Sequence, residues 1–425
     1  MVTVQEGIKE FQGIVDRLGG TIERLKARSA ARSDLIFWQA LRDYYGRALE
    51  AKEQGQPLIM AGMFPPHELF HAMDIPYYVA ENHAIMEGQA TSELREKLFD
   101  TAEGYGMPTD FCSPHRAAVG LARLGMQLKP DLVVSTATTC DQTLKLYDLL
   151  ADVYGVPSYL VDSPYRIDEA GLKYAQQDIK DLISFLEERT GRKLDYDRLK
   201  EVLRLSKEAY DYWEKLYELR KTVPCPVGGR AGIKDLTLIQ TSSGTQIGVD
   251  YFKARYEELK EKVERGEGVV PEEKYRVAWL YVLPLFDLSI ADWLEKEFGA
   301  VIVVDSFGYA ASDIDLNPED PIDFLVKKPL KRGFVCRGYA PNEYMHFVDD
   351  LAQVCRDMRA DVAILLSHWS CQQYTGTIRM LKDEIGGRMG LPFHVVNGDL
   401  LDPRVVSSEE MKDSLAEFFN AVLKG

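Results

Sequence analysis

The feature that most constrains the fold of this chain is an alternation between short apolar runs and amphipathic segments. The apolar run "DLVVSTATT" is followed by the helical pattern "CDQTLKLYDLLADVYG", and that pattern by a second apolar run, "PSYLVDSP". Strands that are buried on both faces of a parallel sheet are continuously apolar, and helices connect them. The alternation therefore predicts an α/β fold. It returns in "YRVAWLYVLP", "LSIADWLEKEFG" and "AVIVVDSF".

The two alternating blocks predict two Rossmann-like lobes with parallel sheets, built on one general plan and joined by a helical segment. We expect an N-terminal helical segment at 1–55, a first lobe at 56–165, a helical bridge at 166–274 and a second lobe at 275–425. The bridge is predicted from highly charged helical patterns such as "DYDRLKEVLRLSKEAYDYWEKLYELRK". A chain of 425 residues is long enough for two or three domains.

Within the second lobe, two stretches carry specific expectations. "DLNPEDP" and "KKPLKRG" predict one long polar loop, and "CQQYTGTIRMLKDEIGG" predicts a single helix after the strand "DVAILLSH". In the first lobe, Gly125 is expected to end the helix that begins near "CSPHRAAVG", because glycine is favoured just after a helix.

Net charge and hydropathy narrow the classes of function. The formal net charge is −16, which argues against a general binder of nucleic acid or of anionic membranes. No apolar run approaches the roughly 18 residues of a membrane span. The acidic, amphipathic N-terminus does not look like a signal peptide, so we expect a cytoplasmic protein.

Three of the six cysteines lie where a helix is predicted to begin. Cys140 and Cys371 each follow an apolar run, and Cys112 opens "SPHRAAVG". Ligands of open parallel sheets bind beyond the carboxyl ends of the strands, and a helix N-terminus favours thiolate, the form that binds metals. The three thiols could therefore converge in the cleft between the lobes and hold a metal or an iron–sulfur cluster. Alternatively, each is a small buried apolar residue.

The other three cysteines have less suggestive surroundings. Cys355 lies in the middle of the helical pattern "LAQVCRDMRA" and is expected to be buried packing. Cys225 and Cys336 lie in loops with proline or glycine nearby, and packing is the simpler interpretation for both. Disulfides are not expected in a cytoplasmic chain of this length.

The motif order resembles that of a known family. "CSPHRAAVG", "TTCDQTLKLYDLLADVYGVPSYLVDSPY" and "HWSCQQYTGTIRMLKDEIGGRMGLPFHVVNGDLLDPRV" are similar to segments of the 2-hydroxyacyl-CoA dehydratase and benzoyl-CoA reductase family. "AGMFPPHELFHAMDIPYYVAE" resembles that family's N-terminal strand–helix motif. The resemblance implies that Cys112, Cys140 and Cys371 hold a [4Fe–4S] cluster, with one iron position open for chemistry.

The resemblance also implies an activity and partners. Members work with a related second subunit, or occasionally as a homodimer, and a separate ATP-hydrolysing iron–sulfur activator supplies a low-potential electron. The electron passes to a CoA thioester, and a ketyl radical anion then leads to dehydration or to reduction of an aromatic ring. The chain contains no GxxxxGK[ST] motif, which agrees with ATP hydrolysis on the activator.

Further candidates follow from position, resemblance and charge. His368 and Trp369 flank Cys371, and Glu68 lies at a helix start near the family's active site; we name these three as candidate catalytic residues. His115 and Arg116, one turn after Cys112, could donate to the cluster or substrate. The chain's densest basic run could bind CoA phosphates. The candidate substrate-binding residues are His67, Lys328, Lys331 and Arg332.

Two alternatives remain open from the sequence. The family also contains double-cubane proteins with an [8Fe–9S] cluster that reduce small molecules, and here Cys225 and Cys336 are the additional candidate ligands. The other alternative is a non-catalytic, two-lobed binding protein with structural zinc or no metal. About eight irons per chain would indicate the double cubane, about four the single cluster, and none the binding protein.

Overall fold

The computed structural model describes residues 4–137, 140–162, 168–309, 314–332 and 345–423, and these contain two parallel sheets of four strands each. The first sheet has the order β2-β1-β3-β4 and the second the order β6-β5-β7-β8. The two sheets therefore share one topology, as the repeated alternation predicted. The strands are β1 (Ile59–Ala61), β2 (Tyr77–Val79), β3 (Leu132–Thr136), β4 (Ser158–Val161), β5 (Tyr275–Trp279), β6 (Ala300–Asp305), β7 (Val362–His368) and β8 (Phe393–Gly398).

Helices precede, separate and follow these strands. Those up to β4 are α1 (Val4–Ala27), α2 (Arg32–Glu53), α3 (His67–Ala72), α4 (Ala80–Ala90), α5 (Ser92–Gly104), α6 (Ser113–Leu124) and α7 (Asp141–Tyr154). Between the sheets lie α8 (Glu169–Thr190), α9 (Tyr196–Arg220), α10 (Ala231–Ser242) and α11 (Gln246–Glu264). The second sheet is accompanied by α12 (Ser289–Phe298), α13 (Pro321–Lys327), α14 (Met345–Asp357), α15 (Gln372–Thr375), α16 (Ile378–Leu381) and α17 (Ser408–Leu423).

The central strands are apolar because both of their faces are covered. Every residue of β1, β3 and β6 is buried, which accounts for the continuous apolar runs in the sequence. The helix α6 ends as predicted at Gly125, whose φ of 78° is in the left-handed region that glycine occupies without strain. These helix ends return the chain to the start of the next strand.

Two expectations for the second half were wrong. The stretch predicted as one polar loop contains α13 and a 3₁₀ turn at Lys328–Arg332. Asp320 caps α13, Pro321 occupies its first turn, and its apolar side chains are buried, so local signals for a helix were present. The stretch predicted as one helix is divided into α15, α16 and a π-helix at Lys382–Arg388. Gly376 falls between α15 and α16, where glycine weakens a continuous helix.

The helices between the sheets contact both halves of the molecule. The helix α9 packs against α3, beside the first sheet, and against β6 of the second sheet. The N-terminal helix α2 packs against α10 and α11, so the N-terminal segment is joined to this central group. Among the described residues, no helix has the length and apolar character that crossing a membrane requires.

Candidate active site

Cys112, Cys140 and Cys371 line one cavity of about 1090 Å³. Each is the residue immediately before a helix: α6, α7 and α15, respectively. Cys140 follows β3 and Cys371 follows β7, which occupy the same position in the two sheets. The shared topology therefore brings two of these thiols from equivalent strand ends to the same cavity.

Hydrogen bonds hold the three cysteine segments in position. The Gln142 side chain accepts from the Cys112 N–H at 2.6 Å and donates to the Ser370 carbonyl at 2.8 Å, so it links segments from the two halves. The Tyr281 hydroxyl donates to the Cys371 thiol. The Cys140 Sγ lies 3.2 Å from the Thr143 hydroxyl.

The expectation that helix N-termini lower the pKa of these thiols was wrong for the protein without metal. Burial raises the pKa of all three, and the neighbouring Cys140 and Cys371 thiols raise the pKa of Cys112 further. Backbone N–H groups at the helix starts favour thiolate, but this effect is smaller than the cost of burying charge. Thiolates at this position would thus need a cation to stabilise them.

The donor set suits a cluster better than a single ion. Within the described ranges, no three His, Cys, Asp or Glu side chains come close enough together to hold one metal ion. In a cubane, each protein thiolate binds a different iron, so its ligands surround a larger volume than those of one ion. Three thiols around one cavity fit that requirement, and the donors are of the type that iron–sulfur clusters use.

His368 lies against the thiols and is fully buried. Its Nε2 is 3.6 Å from Cys112 Sγ and 3.2 Å from Ser370 Oγ. Its Nδ1 is 3.3 Å from an oxygen of Asp399, although the two groups are not aligned as a hydrogen bond. Burial alone would raise the pKa of Asp399, but His368 and the Ser113 hydroxyl lower it to about 2. Asp399 therefore carries a negative charge behind the imidazole.

Glu81 and His115 form a second polar group in the wall of the same cavity. The Glu81 carboxyl accepts a hydrogen bond from the Tyr147 hydroxyl and lies 3.8 Å from His115 Nε2. Burial raises the pKa of Glu81 to about 7, and burial together with nearby His368 lowers the pKa of His115 to about 3. At neutral pH, the imidazole is therefore uncharged and the carboxyl group is poised to gain or lose a proton.

The sequence analysis did not identify Glu81, Asp399 or Gln142. Glu81 lies two residues after β2, and Asp399 immediately follows β8. A polar residue just past a parallel strand is the signal that could have found both, because these strand ends face the ligand side of such sheets. Gln142 offered no comparable signal, because its role depends on contact with the other half.

Trp369 and Arg116 lie outside the walls of the cavity. The Trp369 side chain is 58% exposed despite its place between His368 and Cys371. Arg116 is fully buried and donates to Glu103 at 2.6 Å and to Asp402 at 2.9 Å. It therefore joins α6 to the segment after β8, whereas its neighbour His115 faces the cavity.

Glu68 belongs to a buried network that is separate from the cavity walls. Its carboxylate accepts from Ser206 at 2.7 Å, from Ser243 at 2.9 Å and from Lys328 at 2.5 Å. Burial opposes ionisation, yet Lys328 and the hydroxyl donors lower the pKa of Glu68 to about 2. Lys328 neutralises this buried carboxylate, and the pair connects α3 to the 3₁₀ turn after α13.

The remaining predicted residues are also away from the thiols. His67 stacks on Tyr77 with ring centroids 4.8 Å apart, and its Nε2 lies 2.9 Å from the Gly62 carbonyl. The Lys331 ammonium group pairs with Glu214. As the structure stands, Lys328 and Lys331 are buried against carboxylates rather than arranged around an open anion site. The described part of Arg332 is its backbone in the 3₁₀ turn.

The other cysteines do not join the three thiols in the described structure. Cys355 is buried in α14, as expected for packing. Cys225 is also buried, donates to the Val227 carbonyl, and is not among the side chains that line the cavity. Cys336 and Tyr339 lie outside the described residues.

The fold and cavity define a class of protein: an α/β protein with two matching parallel sheets and three thiols at one cavity. The particular family follows from comparison with known proteins. Residues 62–422 match the sequence profile of the 2-hydroxyglutaryl-CoA dehydratase D-component family, and the chain belongs to that family.

Curated relatives cover most of the chain. The chain is 25% identical to the (R)-phenyllactyl-CoA dehydratase alpha subunit of Clostridium sporogenes, over 88% of this chain and 92% of the relative. It is 26% identical to a benzoyl-CoA reductase subunit of Thauera aromatica, over 89% and 91%. It is 23% identical to the lactoyl-CoA dehydratase subunit alpha of Anaerotignum propionicum, over 89% and 93%. The chain is therefore an enzyme subunit.

Proposed function

We propose that this chain is the iron–sulfur subunit of an ATP-activated radical enzyme that dehydrates a 2-hydroxyacyl-CoA or reduces an aryl-CoA ring. Cys112, Cys140 and Cys371 would hold a [4Fe–4S] cluster. The observation that carries this proposal is that three cysteines, 259 positions apart at the extremes, line one cavity. The relatives' names, which are those of CoA dehydratase and benzoyl-CoA reductase subunits, support a thioester substrate.

When bound, the cluster would supply a low-potential electron and an iron position open to the substrate. The chain's own residues prepare the site. Gln142 and Tyr281 fix two cysteine segments through hydrogen bonds, which limits the rearrangement needed on metal binding. The apolar side chains of the cavity reduce access of water to the reacting group.

Both reactions require proton exchange with the substrate, and Glu81 is suited to that role. It lies in the cavity wall, is buried, and has a pKa raised by burial to about 7. In a dehydration, the carboxyl group would give its proton to the departing hydroxyl group to form water. The resulting carboxylate would regain a proton from the substrate carbon, so the cycle closes without net proton transfer.

The proposal includes two protein partners. The relatives are named as individual subunits of their enzymes, which supports a second subunit here, either a related chain or a second copy of this one. The electron would come from a separate ATP-hydrolysing iron–sulfur activator. The chain itself lacks the phosphate-binding motif that ATP hydrolysis of the common P-loop type requires.

Anaerobic purification followed by iron and sulfide counting tests the cluster assignment. We expect about four irons and four sulfides per chain. Cys371→Ser should lose most of the iron, whereas the matched variant Cys355→Ser should keep it, because Cys355 is buried away from the cavity. Absence of iron from the wild-type protein, or full iron in Cys371→Ser, would overturn the assignment. About eight irons would favour the double cubane.

A further inference from the structure

The cavity wall beside Cys371 is aromatic. Tyr281, whose hydroxyl donates to the Cys371 thiol, packs edge-to-face on Tyr374 at 4.5 Å and on Phe307 at 5.3 Å between ring centroids. Phe64 contacts Phe307 from the other side. All four rings line the cavity that contains the three thiols. We call Phe64, Tyr281, Phe307 and Tyr374 the aromatic wall.

The aromatic wall combines residues from both halves of the chain. Phe64 follows β1, Tyr281 follows β5 and Phe307 follows β6, so three rings come from strand ends of the two sheets. Phe64 is 8% exposed and belongs to a small apolar cluster that is separate from the main core. Its ring is therefore positioned mainly by contacts at the cavity.

The cations of the cavity are already neutralised. Three Lys or Arg side chains line it among the described residues, and each has a carboxylate partner. Arg230 pairs with Asp292 at 2.6 Å, and Arg255 with Asp235 at 2.8 Å. Lys234 pairs with Asp34. A substrate with a second carboxylate at the end of its acyl chain would thus bury that charge without an available partner, which is unfavourable.

We propose that the acyl group of the substrate carries an aromatic ring and no distal charge, and that the aromatic wall binds this ring. The inference rests on the proposed function, because it assumes that the thioester lies near the three cysteines. Aromatic rings favour edge-to-face and offset contacts with one another, and the wall already presents ring faces and edges at such angles. A cavity of about 1090 Å³ has room for an aryl group together with part of the CoA arm.

Binding of unreactive thioesters tests the inference without relying on turnover. The probes are 3-phenylpropanoyl-CoA, propanoyl-CoA and glutaryl-CoA, which lack the 2-hydroxyl group and differ in ring and charge. Titration calorimetry would be done on the iron-loaded protein with its partner subunit. We expect the phenyl thioester to bind at least about tenfold more tightly than either of the other two.

Variants assign the preference to the aromatic wall. Phe64→Ala should weaken binding of the phenyl thioester about tenfold and change propanoyl-CoA binding less than about twofold. Phe307→Leu, which keeps apolar volume but removes the ring, should have the same selective effect if Phe64→Ala fails to fold. Tyr196→Ala is the control, because Tyr196 is 48% exposed and lies outside the cavity walls.

The outcomes distinguish the inference from the function on which it rests. Equal binding of all three thioesters, or tightest binding of glutaryl-CoA, would overturn the aryl assignment and leave the thioester function standing. A preference for the phenyl thioester that both wall variants retain would also overturn it. If none of the thioesters binds to iron-loaded protein, the proposed function fails and the inference fails with it.

Discussion

Burial alone does not distinguish the three candidate cluster ligands from the other described cysteines. Burial raises the pKa of Cys355 to about 12, and it also raises the pKa of Cys112, Cys140 and Cys371. The difference is that the latter three share a cavity, whereas Cys355 packs within α14. Only neighbouring thiols and open space make a buried cysteine a plausible ligand.

Glu81→Gln tests the proton-exchange role at the residue scale. The amide can still accept from Tyr147 but cannot exchange a proton, so we expect turnover by the activated complex to fall at least about 100-fold. Iron content should not change. Glu87→Gln is the matched control, since Glu87 is a buried carboxyl of the same helix that does not line the cavity. Equal turnover in both variants would contradict the role.

The same substitution has a consequence for stability that does not depend on catalysis. The pKa of Glu81 is raised from 4.5 to about 7, so the native state keeps a proton that the unfolded state releases. The free energy of unfolding should therefore decrease as pH rises from about 4.5 to about 7, by on the order of 3 kcal/mol from this group. Denaturant titrations should find this pH dependence reduced in Glu81→Gln. An unchanged slope would mean that Glu81 titrates normally.

At the scale of secondary-structure elements, the ion pair of Glu68 and Lys328 joins α3 to the turn after α13. Ser206 of α9 and Ser243, which follows α10, bind the same carboxylate. Four segments that are distant in sequence thus meet at one buried charge. Because both charged groups are nearly inaccessible, removing one should cost far more than removing a surface pair.

Lys328→Met should destabilise the protein by about 3–5 kcal/mol, because it leaves the Glu68 carboxylate buried without its cation. The double variant Glu68→Gln/Lys328→Met should recover a substantial part of that loss. Chemical denaturation of the four members of the cycle measures the coupling. Additive effects of the two substitutions would show that the groups do not interact.

This pair also predicts how stability changes in acid. The pKa of Glu68 is lowered from 4.5 to about 2, so its stabilising contribution is present above about pH 4.5. That contribution should be lost as pH falls toward 2. In Lys328→Met, the lowered pKa loses its main cause, and this part of the acid sensitivity should disappear.

At the scale of the whole molecule, a bound cluster would connect the two sheets. Cys112 and Cys140 lie with the first sheet, and Cys371 follows a strand of the second. A group that binds the native state and not the unfolded state stabilises the native state. Iron-loaded protein should therefore unfold at a temperature at least about 5 °C higher than protein from which a chelator has removed the iron.

Calorimetry of the two forms under anaerobic conditions measures this difference. Cys355→Ser should show the same difference as the wild type, because its cluster ligands are intact. Equal unfolding temperatures for the loaded and chelated wild type would mean that the metal does not link the halves. It would then have to be held by one half alone.

Local patterns in the sequence were sufficient to predict the architecture. Continuous apolar runs identified the strands, and the repeated alternation predicted two parallel sheets with matching plans. The pattern also located Cys140 and Cys371 at strand ends, because it depends on neighbours a few residues apart. It failed at α13, where proline and acidic residues suggested a loop although they cap a short helix.

Contacts between distant segments were decided only by the tertiary structure. The sequence could not assign Glu68 to a buried network with Lys328, expose Trp369, or bring Gln142 between Cys112 and Ser370. It also could not weigh burial against the helix N-terminus for the thiol pKa values. Periodicity reports which face of an element is apolar, whereas solvation and electrostatic partners depend on what the folded chain places beside each group.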